Sequence, residues 1–368
     1  MTVTPLHGAA PRKGLVLVTG GAGHLGANLV RRLLDDGHAV RCLQRPGSNN
    51  AALDGLDVER VDGDLRDPAS LRRAVAGCAR VFHAAAKVST IDGDHHHKRE
   101  IFDSNVLGTR HMLAAALEEG VSRVVVTGSF SAVGHHLDDP SRPADETVPF
   151  YPFERSMPYE VSKVGVEHEV LRAVARGQDA VVATSCAIIG PNDFKPSRMG
   201  RTLCDYTRGR VRAYIPGGFE FVTSRDIVEG HVLAMEKGRR GEKYVFSTQF
   251  MTLDDVLDTF QRVTGAPKPR LRLPVALMEP IAEVMSAILT RFFPDVPQRL
   301  TPGAMRILRM NRHADTTKAR TELGFKPTSF EDAVREQYEF FCGLGWAERR
   351  VAVSMAGDSP AQKVRRAG

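Results

Sequence analysis

The run Thr19-Gly20-Gly21-Ala22-Gly23-His24-Leu25-Gly26 constrains this chain more than any other feature. Residues 14–19 (GLVLVT) come directly before it and read as a buried strand. Residues 27–34 (ANLVRRLL) follow, with apolar side chains three and four apart, and read as a helix. Two glycine templates fit at once, one on Gly21, Gly23 and Gly26 and one on Gly20, Gly23 and Gly26. Both do the same physical work. Small residues let backbone N–H groups and a helix N-terminus approach a pyrophosphate. The chain has 33 glycines, so the pattern alone is weak, and the strand-before, helix-after context singles out this match.

The same alternation continues. Strands are expected at 39–43, 57–61, 80–83, 123–127 and 180–189, with helices at 68–76, 105–119 and 158–175. That order predicts an α/β, Rossmann-type doubly wound parallel sheet, covered on both faces. Residues 14–190 would form it, completed by 222–250, where a helix (224–237) and a strand (243–247) are expected. Residues 191–221 and 251–346 would make a smaller C-terminal substrate-binding lobe, with a helix at 252–264. Residues 1–13 and 347–368 are expected to be tails.

The formal charge of +6 raises the question of a nucleic-acid partner. Most of it sits at the ends: residues 1–14 carry +2 and 347–368 carry +3, leaving +1 on the body. No nucleic-acid partner is expected. At 42% hydrophobic residues the chain is not a disordered one. No apolar run approaches the roughly 18 residues of a membrane-spanning helix. The five cysteines are widely spaced and no CxxC occurs, so neither a disulfide framework nor a metal site is expected, and a cytoplasmic setting is. His95-His96-His97 is read as a surface loop. The apolar stretch 273–293 is read as core or lid in preference to a membrane contact, with Glu279 and Glu283 on its wet face.

The second strand tests which dinucleotide binds. It ends Arg41-Cys42-Leu43-Gln44-Arg45, without the acid that would hold the ribose of NAD. Arg45 instead suits a 2′-phosphate, which favours NADP(H) over NAD(H). Asp64-Leu65 follows the third strand, and an acid there can bond the adenine amino group. Tyr159 is the only tyrosine with a lysine four residues on, Lys163. One helix face would carry both. A nearby ammonium lowers a phenol's pKa toward the range where it exchanges protons at neutral pH. Ser129 ends the fifth strand and can orient a carbonyl against Tyr159, with Ser131 the alternative.

These segments resemble the extended short-chain dehydrogenases/reductases. The likeness rests on TGGAGHLG, DGDLRD, His83–Ala86 (HAAA), Asn105-Val106-x-Gly108-Thr109, YEVSK and Gly190-Pro191-x-Asp193. Within that family the chain looks most like the 3β-hydroxysteroid dehydrogenase and dihydroflavonol reductase branch. The resemblance implies Ser129, Tyr159 and Lys163 as the catalytic set. It implies cofactor contacts from Gly20, Gly23, His24, Leu25, Gly26, Arg45, Asp64, Leu65, Ala84, Ala85, Ala86 and Lys163. It also implies a homodimer built on helices such as 105–119 and 158–175. Three departures stand out: Gly128 where a serine is usual, Thr184-Ser185 in place of Arg-Pro, and Ala187 in place of an asparagine that nucleotide-sugar enzymes commonly carry. The expected activity is hydride transfer between the nicotinamide and a secondary alcohol or ketone of a lipophilic, steroid-like, terpenoid, polyketide or aromatic small molecule. The alternative is a nucleotide-sugar epimerase or dehydratase using the same residues.

Overall fold

The computed structural model describes residues 13–150, 156–292 and 301–349. The first half runs β1 (Lys13–Thr19), α1 (His24–Asp35), β2 (His38–Gln44), β3 (Glu59–Asp62), α2 (Pro68–Val75), β4 (Arg80–His83), α3 (His95–Phe102), α4 (Gly108–Glu118) and β5 (Arg123–Ser129). It continues with α5 (Pro158–Ala175), β6 (Ala180–Ser185), β7 (Ala187–Ile189), α6 (Arg198–Thr207), β8 (Ala213–Tyr214), β9 (Gly218–Thr223), α7 (Ser224–Lys237), β10 (Lys243–Phe246) and β11 (Gln249–Thr252). The last elements are α8 (Leu253–Thr264), β12 (Leu271–Arg272), α9 (Val275–Phe292), α10 (Pro302–Met310) and α11 (Phe330–Gly343).

Seven strands form one sheet in the order β3-β2-β1-β4-β5-β6-β10, and every pairing in it is parallel. This is the expected doubly wound sheet. Its order reverses between β1 and β4, which opens a crevice at their C-terminal ends. Val16, Leu17 and Val18 of β1 are fully buried, as a strand covered on both faces requires. One apolar core packs α1 and α7 on one face of the sheet, and a second packs α2, α4 and α5 on the other. Each large apolar side chain buried there contributes roughly 2 kcal/mol.

The run at 180–189 is not one strand. It breaks at Cys186, where Ser185 Oγ donates back to the Cys186 carbonyl. β7 leaves the main sheet and pairs with β9, which pairs antiparallel with β11. The chain thereby steps from the sheet into the smaller lobe, four residues before Gly190. The helix expected at 105–119 also begins differently. A π turn, Asp103–Leu107, joins α3 to α4, and the triple histidine starts α3 rather than lying in a loop. His95 and His96 are exposed, while His97 Nε2 bonds Ser89 Oγ.

α9 covers residues expected to be core or lid, but only a narrow stripe of it packs. Ala282 is fully buried against Ile215, Met305 and Leu308. Leu277, Ile281, Val284, Met285, Ile288 and Phe292 form an exposed outer stripe. Glu283 is exposed as expected and Glu279 pairs at the surface with Arg309 of α10, so the wet face carries both these charges and an apolar stripe. None of the described helices is long and apolar enough to cross a membrane. At the C-terminal end Ala347 is buried and Glu348 N donates to Thr207 Oγ1, so the body extends slightly past 346. The expected tails at 1–12 and 350–368 lie outside the described residues.

Candidate active site

The glycine run is a cradle closed on itself. Gly20 adopts φ +74°, and a Cβ there would lie 2.8 Å from the Ala85 backbone. A methyl at Gly26 would run into the Gly20 carbonyl. Gly23 N donates to Gly20 O at 2.8 Å, and Gly23 is the N-cap of α1 without any side-chain cap. The first N–H groups of α1 are thus left for an outside acceptor. Ala84 and Ala85 form the facing wall, their amides bonded to Thr19 O and Thr19 Oγ1. Ala86 follows them into the crevice beside Lys163. These features fit a dinucleotide pyrophosphate, since side chains in the cradle would fill its space.

His24 and Leu25 start α1. Leu25 is buried in the core, and the His24 ring is taken by the protein itself. Its Nε2 donates to Gly190 O and Pro191 O, while Asn28, one turn on, donates to Pro191 O. Those two side chains clasp the loop after β7 against α1, so their contribution to a cofactor would come through backbone. Arg45, at the end of β2, is exposed and forms no ion pair among the described residues. Asp64 is occupied: Arg66 grips its carboxylate at 2.9 and 2.6 Å and holds it below the ordinary carboxylate range, with Arg45 a smaller influence. The acid expected at adenine is therefore engaged by its neighbour. Leu65 packs on Gly108 at the start of α4.

Ser129, Tyr159 and Lys163 come together at the C-terminal ends of β5 and β6. Pro158 opens α5 and Glu160 Oε2 accepts from Met157 N, fixing the helix start that carries Tyr159. Ser129 Oγ accepts from Ser131 N at 3.2 Å and also engages the Tyr159 hydroxyl. Burial raises the Tyr159 phenol above its ordinary range, and the Ser129 bond offsets this only in part. Lys163 is buried, and its Nζ donates to Thr127 O at 2.8 Å. Burial brings its pKa down to about 8. Lys163 does not contribute to the phenol's pKa in this arrangement, so lowering it falls to a bound cation.

Sequence reasoning missed a buried polar frame around Lys163. His83 Nδ1 bonds Thr19 Oγ1 at 2.8 Å and its Nε2 bonds Thr109 Oγ1 at 3.0 Å. Thr109 donates to Asn105 O, so it accepts from His83, which fixes the Nε2–H tautomer. His231 Nδ1 donates to Ile227 O, leaving Nε2 to accept from Thr127 Oγ1. Thr127 thus holds Lys163 with its carbonyl and His231 with its hydroxyl. Burial lowers His83 to about 3 and His231 to about 4, with Lys163 adding to both. Both rings are neutral at pH 7. HAAA gave His83 and no motif gave His231; their partners lie 64 and 104 positions away. Asn105, from the π turn, donates to Ser162 Oγ, which donates to Tyr159 O. Asp226 accepts from Thr328 N, and Thr223 caps α7.

Two of the departures noted above are one packing change. A Cβ at Gly128 would lie 2.8 Å from Thr184 Oγ1. The threonine fills the space a side chain at 128 would need. Phe221, a candidate pocket wall, is fully buried in the lobe core.

The sequence matches the model of the NAD dependent epimerase/dehydratase family over residues 16–246. The chain belongs to that family. It is 45% identical to sterol demethylase protein B of Methylococcus capsulatus, over 86% of this chain and 96% of the relative. It is 30% identical to a 2-alkyl-3-oxoalkanoate reductase of Stenotrophomonas maltophilia, over 87% and 97%. The crystal structure of gox2253 superposes with a TM-score of 0.79 at 31% identity, covering 91% of this chain and all of that one. The family member described here is an NAD(P)-dependent enzyme of the extended short-chain dehydrogenase/reductase type.

Proposed function

We propose that this enzyme interconverts a secondary alcohol and its ketone on a lipophilic small molecule, with NADP(H) favoured over NAD(H). The observation that carries the reading is the meeting of Ser129, Tyr159 and Lys163 beside an open glycine cradle. Gly20, Gly23, Gly26 and Ala85 would hold the pyrophosphate, Lys163 the nicotinamide ribose, and unpaired Arg45 the 2′-phosphate. Bound there, the cofactor supplies hydride exchange at the substrate carbon and a positive ring that stabilises phenolate. Ser129 orients the substrate oxygen. Tyr159 gives that oxygen its proton in reduction and removes it in oxidation. Lys163, released from Thr127 O to the ribose, places its charge beside Tyr159.

Two relatives act, by their names, on a sterol and on an alkylated oxo acid, and both support an apolar substrate. So does the apolar cluster of Ile215, Met305 and Leu308, since Gly303 of the same helix packs on Met157 at the head of α5. Ala187 has no side-chain donor for a sugar nucleotide's diphosphate. A homodimer on α4 and α5 belongs to the same reading, and Leu117, Val161 and Leu171 are exposed on those helices. Five unbridged cysteines support a cytoplasmic setting.

The test is the near-ultraviolet absorbance of the reduced nicotinamide. An oxidoreductase changes it in step with substrate, whereas an epimerase returns its hydride and gives no net change. Tyr159→Phe should lower kcat by about 10²- to 10⁴-fold with cofactor affinity retained. Undiminished turnover in that variant would remove Tyr159 from the mechanism.

A further inference from the structure

Arg312 follows α10 and reaches back to the segment after Ser129. Its Nη2 donates to Val133 O at 2.7 Å and Gly134 O at 2.6 Å. The guanidinium lies over the Phe130 ring, 4.7 Å from its centre. Its Nε is buried without a partner. Its Nη1 makes no hydrogen bond among the described residues. Arg312 forms no ion pair among the described residues.

Its neighbours are the residues next to the catalytic ones. Phe130 follows Ser129. Glu160 follows Tyr159. Cys186 follows Ser185, the register partner of Ser129. Arg312 acts electrostatically on Glu160, Cys186 and His135. None of them forms an ion pair with it. Glu160 lies beyond ion-pair distance and spends an oxygen on Met157 N. Burial keeps the Cys186 thiol protonated. His135 is neutral or cationic. A half-buried guanidinium with a donor unpartnered and no ion pair gains from an incoming anion.

We propose that Arg312 is a binding residue for a carboxylate carried by the substrate near its reacting carbon. The proposal rests on the oxidoreductase reading of Tyr159 and adds the charge of the substrate to it. The Nη1 left without a bond suits one carboxylate oxygen.

The test is a matched pair of probes, 3-hydroxydodecanoate and its methyl ester. They are titrated calorimetrically into the NADP⁺-saturated Tyr159→Phe protein, which holds ligands without turnover. The acid should bind at least about tenfold tighter than the ester, as one charge-assisted bond warrants. Arg312→Gln should bring the acid down to the ester's affinity and leave the ester and NADP⁺ unchanged. The proposal is overturned if the acid binds no tighter than the ester or does not bind measurably. It is overturned as well if Arg312→Gln weakens both probes alike, or if it weakens NADP⁺, which would assign Arg312 to the cofactor. Should Arg312→Gln fail to fold, Arg312→Lys decides, because it keeps a charge but moves it; an undiminished acid preference there counts against the proposal. The readout is binding, so an inactive enzyme would sink the oxidoreductase reading and leave the acid–ester contrast legible.

Discussion

Lys163→Met should make the cofactor-free protein more stable while destroying its activity. The Lys163 ammonium is buried and its pKa falls from an ordinary 10.5 to about 8. At about 1.36 kcal/mol per pH unit, holding the charge inside costs about 3 kcal/mol at pH 7. Methionine fills similar space without the charge. It also leaves Thr127 O without the Lys163 donor, a loss of about 1–2 kcal/mol. The net expectation is a gain of about 1–2 kcal/mol, read as a higher urea midpoint at constant slope. The pH dependence carries the sharper signal. Between pH 8 and 10.5 the unfolded chain holds this proton and the folded one does not, so wild-type stability climbs with pH across that window. The gap in favour of Lys163→Met should shrink through it and reverse near its top, where only the lost hydrogen bond remains. A variant less stable at pH 7, with a gap that stays flat to pH 10, would refute the idea that the buried ammonium is strained. Cofactor affinity adds an independent check. Ribose hydroxyls accept bonds from the charged form, so wild-type affinity should fall as pH passes about 8, and Lys163→Met should show no such fall.

Two further outcomes follow from groups outside the catalytic trio. Arg45→Ala should weaken NADP⁺ by about tenfold and NAD⁺ by less than about twofold, with the NADP⁺ loss shrinking at high salt; equal losses would remove Arg45 from the 2′-phosphate. His83 and His231 are buried neutral with pKa values of about 3 and about 4. Their stabilising neutrality is complete above pH 6.5 and is lost as pH falls toward 4, by about 3 kcal/mol for each ring. That sum approaches the whole stability of a typical domain. Urea midpoints taken from pH 7 down to pH 4 should fall steeply, and His231→Gln should remove about half of the slope; a profile untouched by that substitution would mean the two rings are not what acid attacks.

What the sequence made legible was local. The glycine cradle, the Tyr159–Lys163 spacing and the strand–helix alternation each lie within one or two elements, and each stands where it was expected. The misreadings share a cause as well. The run 180–189 is apolar throughout, and continuous apolarity carries no mark of the point where a strand changes sheets; only the Ser185 turn and the pairing with β9 create it. The stretch 105–119 has helical periodicity, which is silent on a π turn whose purpose is to aim Asn105 at Ser162. In α9 the charges at 279 and 283 stand on the wet face as expected, but the apolar residues read as core or lid leave a stripe outside as well.

The catalytic trio was legible and its surroundings were not, and there is a physical reason for the asymmetry. Catalytic residues recur in a fixed local pattern because two of them must share one helix face. Their environment has no such constraint, since any neutral donor or acceptor at the right place will serve. His83 answers to Thr19 and Thr109, His231 to Thr127, and Arg312 to carbonyls 179 and 178 residues away. The two kinds of group also differ in sign. His83 and His231 are buried polar groups with every partner present, which makes them rigid supports. Lys163, buried, and Arg312, half-buried, are cations without an ion pair among the described residues, which a folded protein tolerates best where something else benefits. In the proposed reading the beneficiary of Lys163 is the cofactor ribose. By the same logic Arg312, the other such cation beside the catalytic residues, marks where the rest of the substrate's charge belongs.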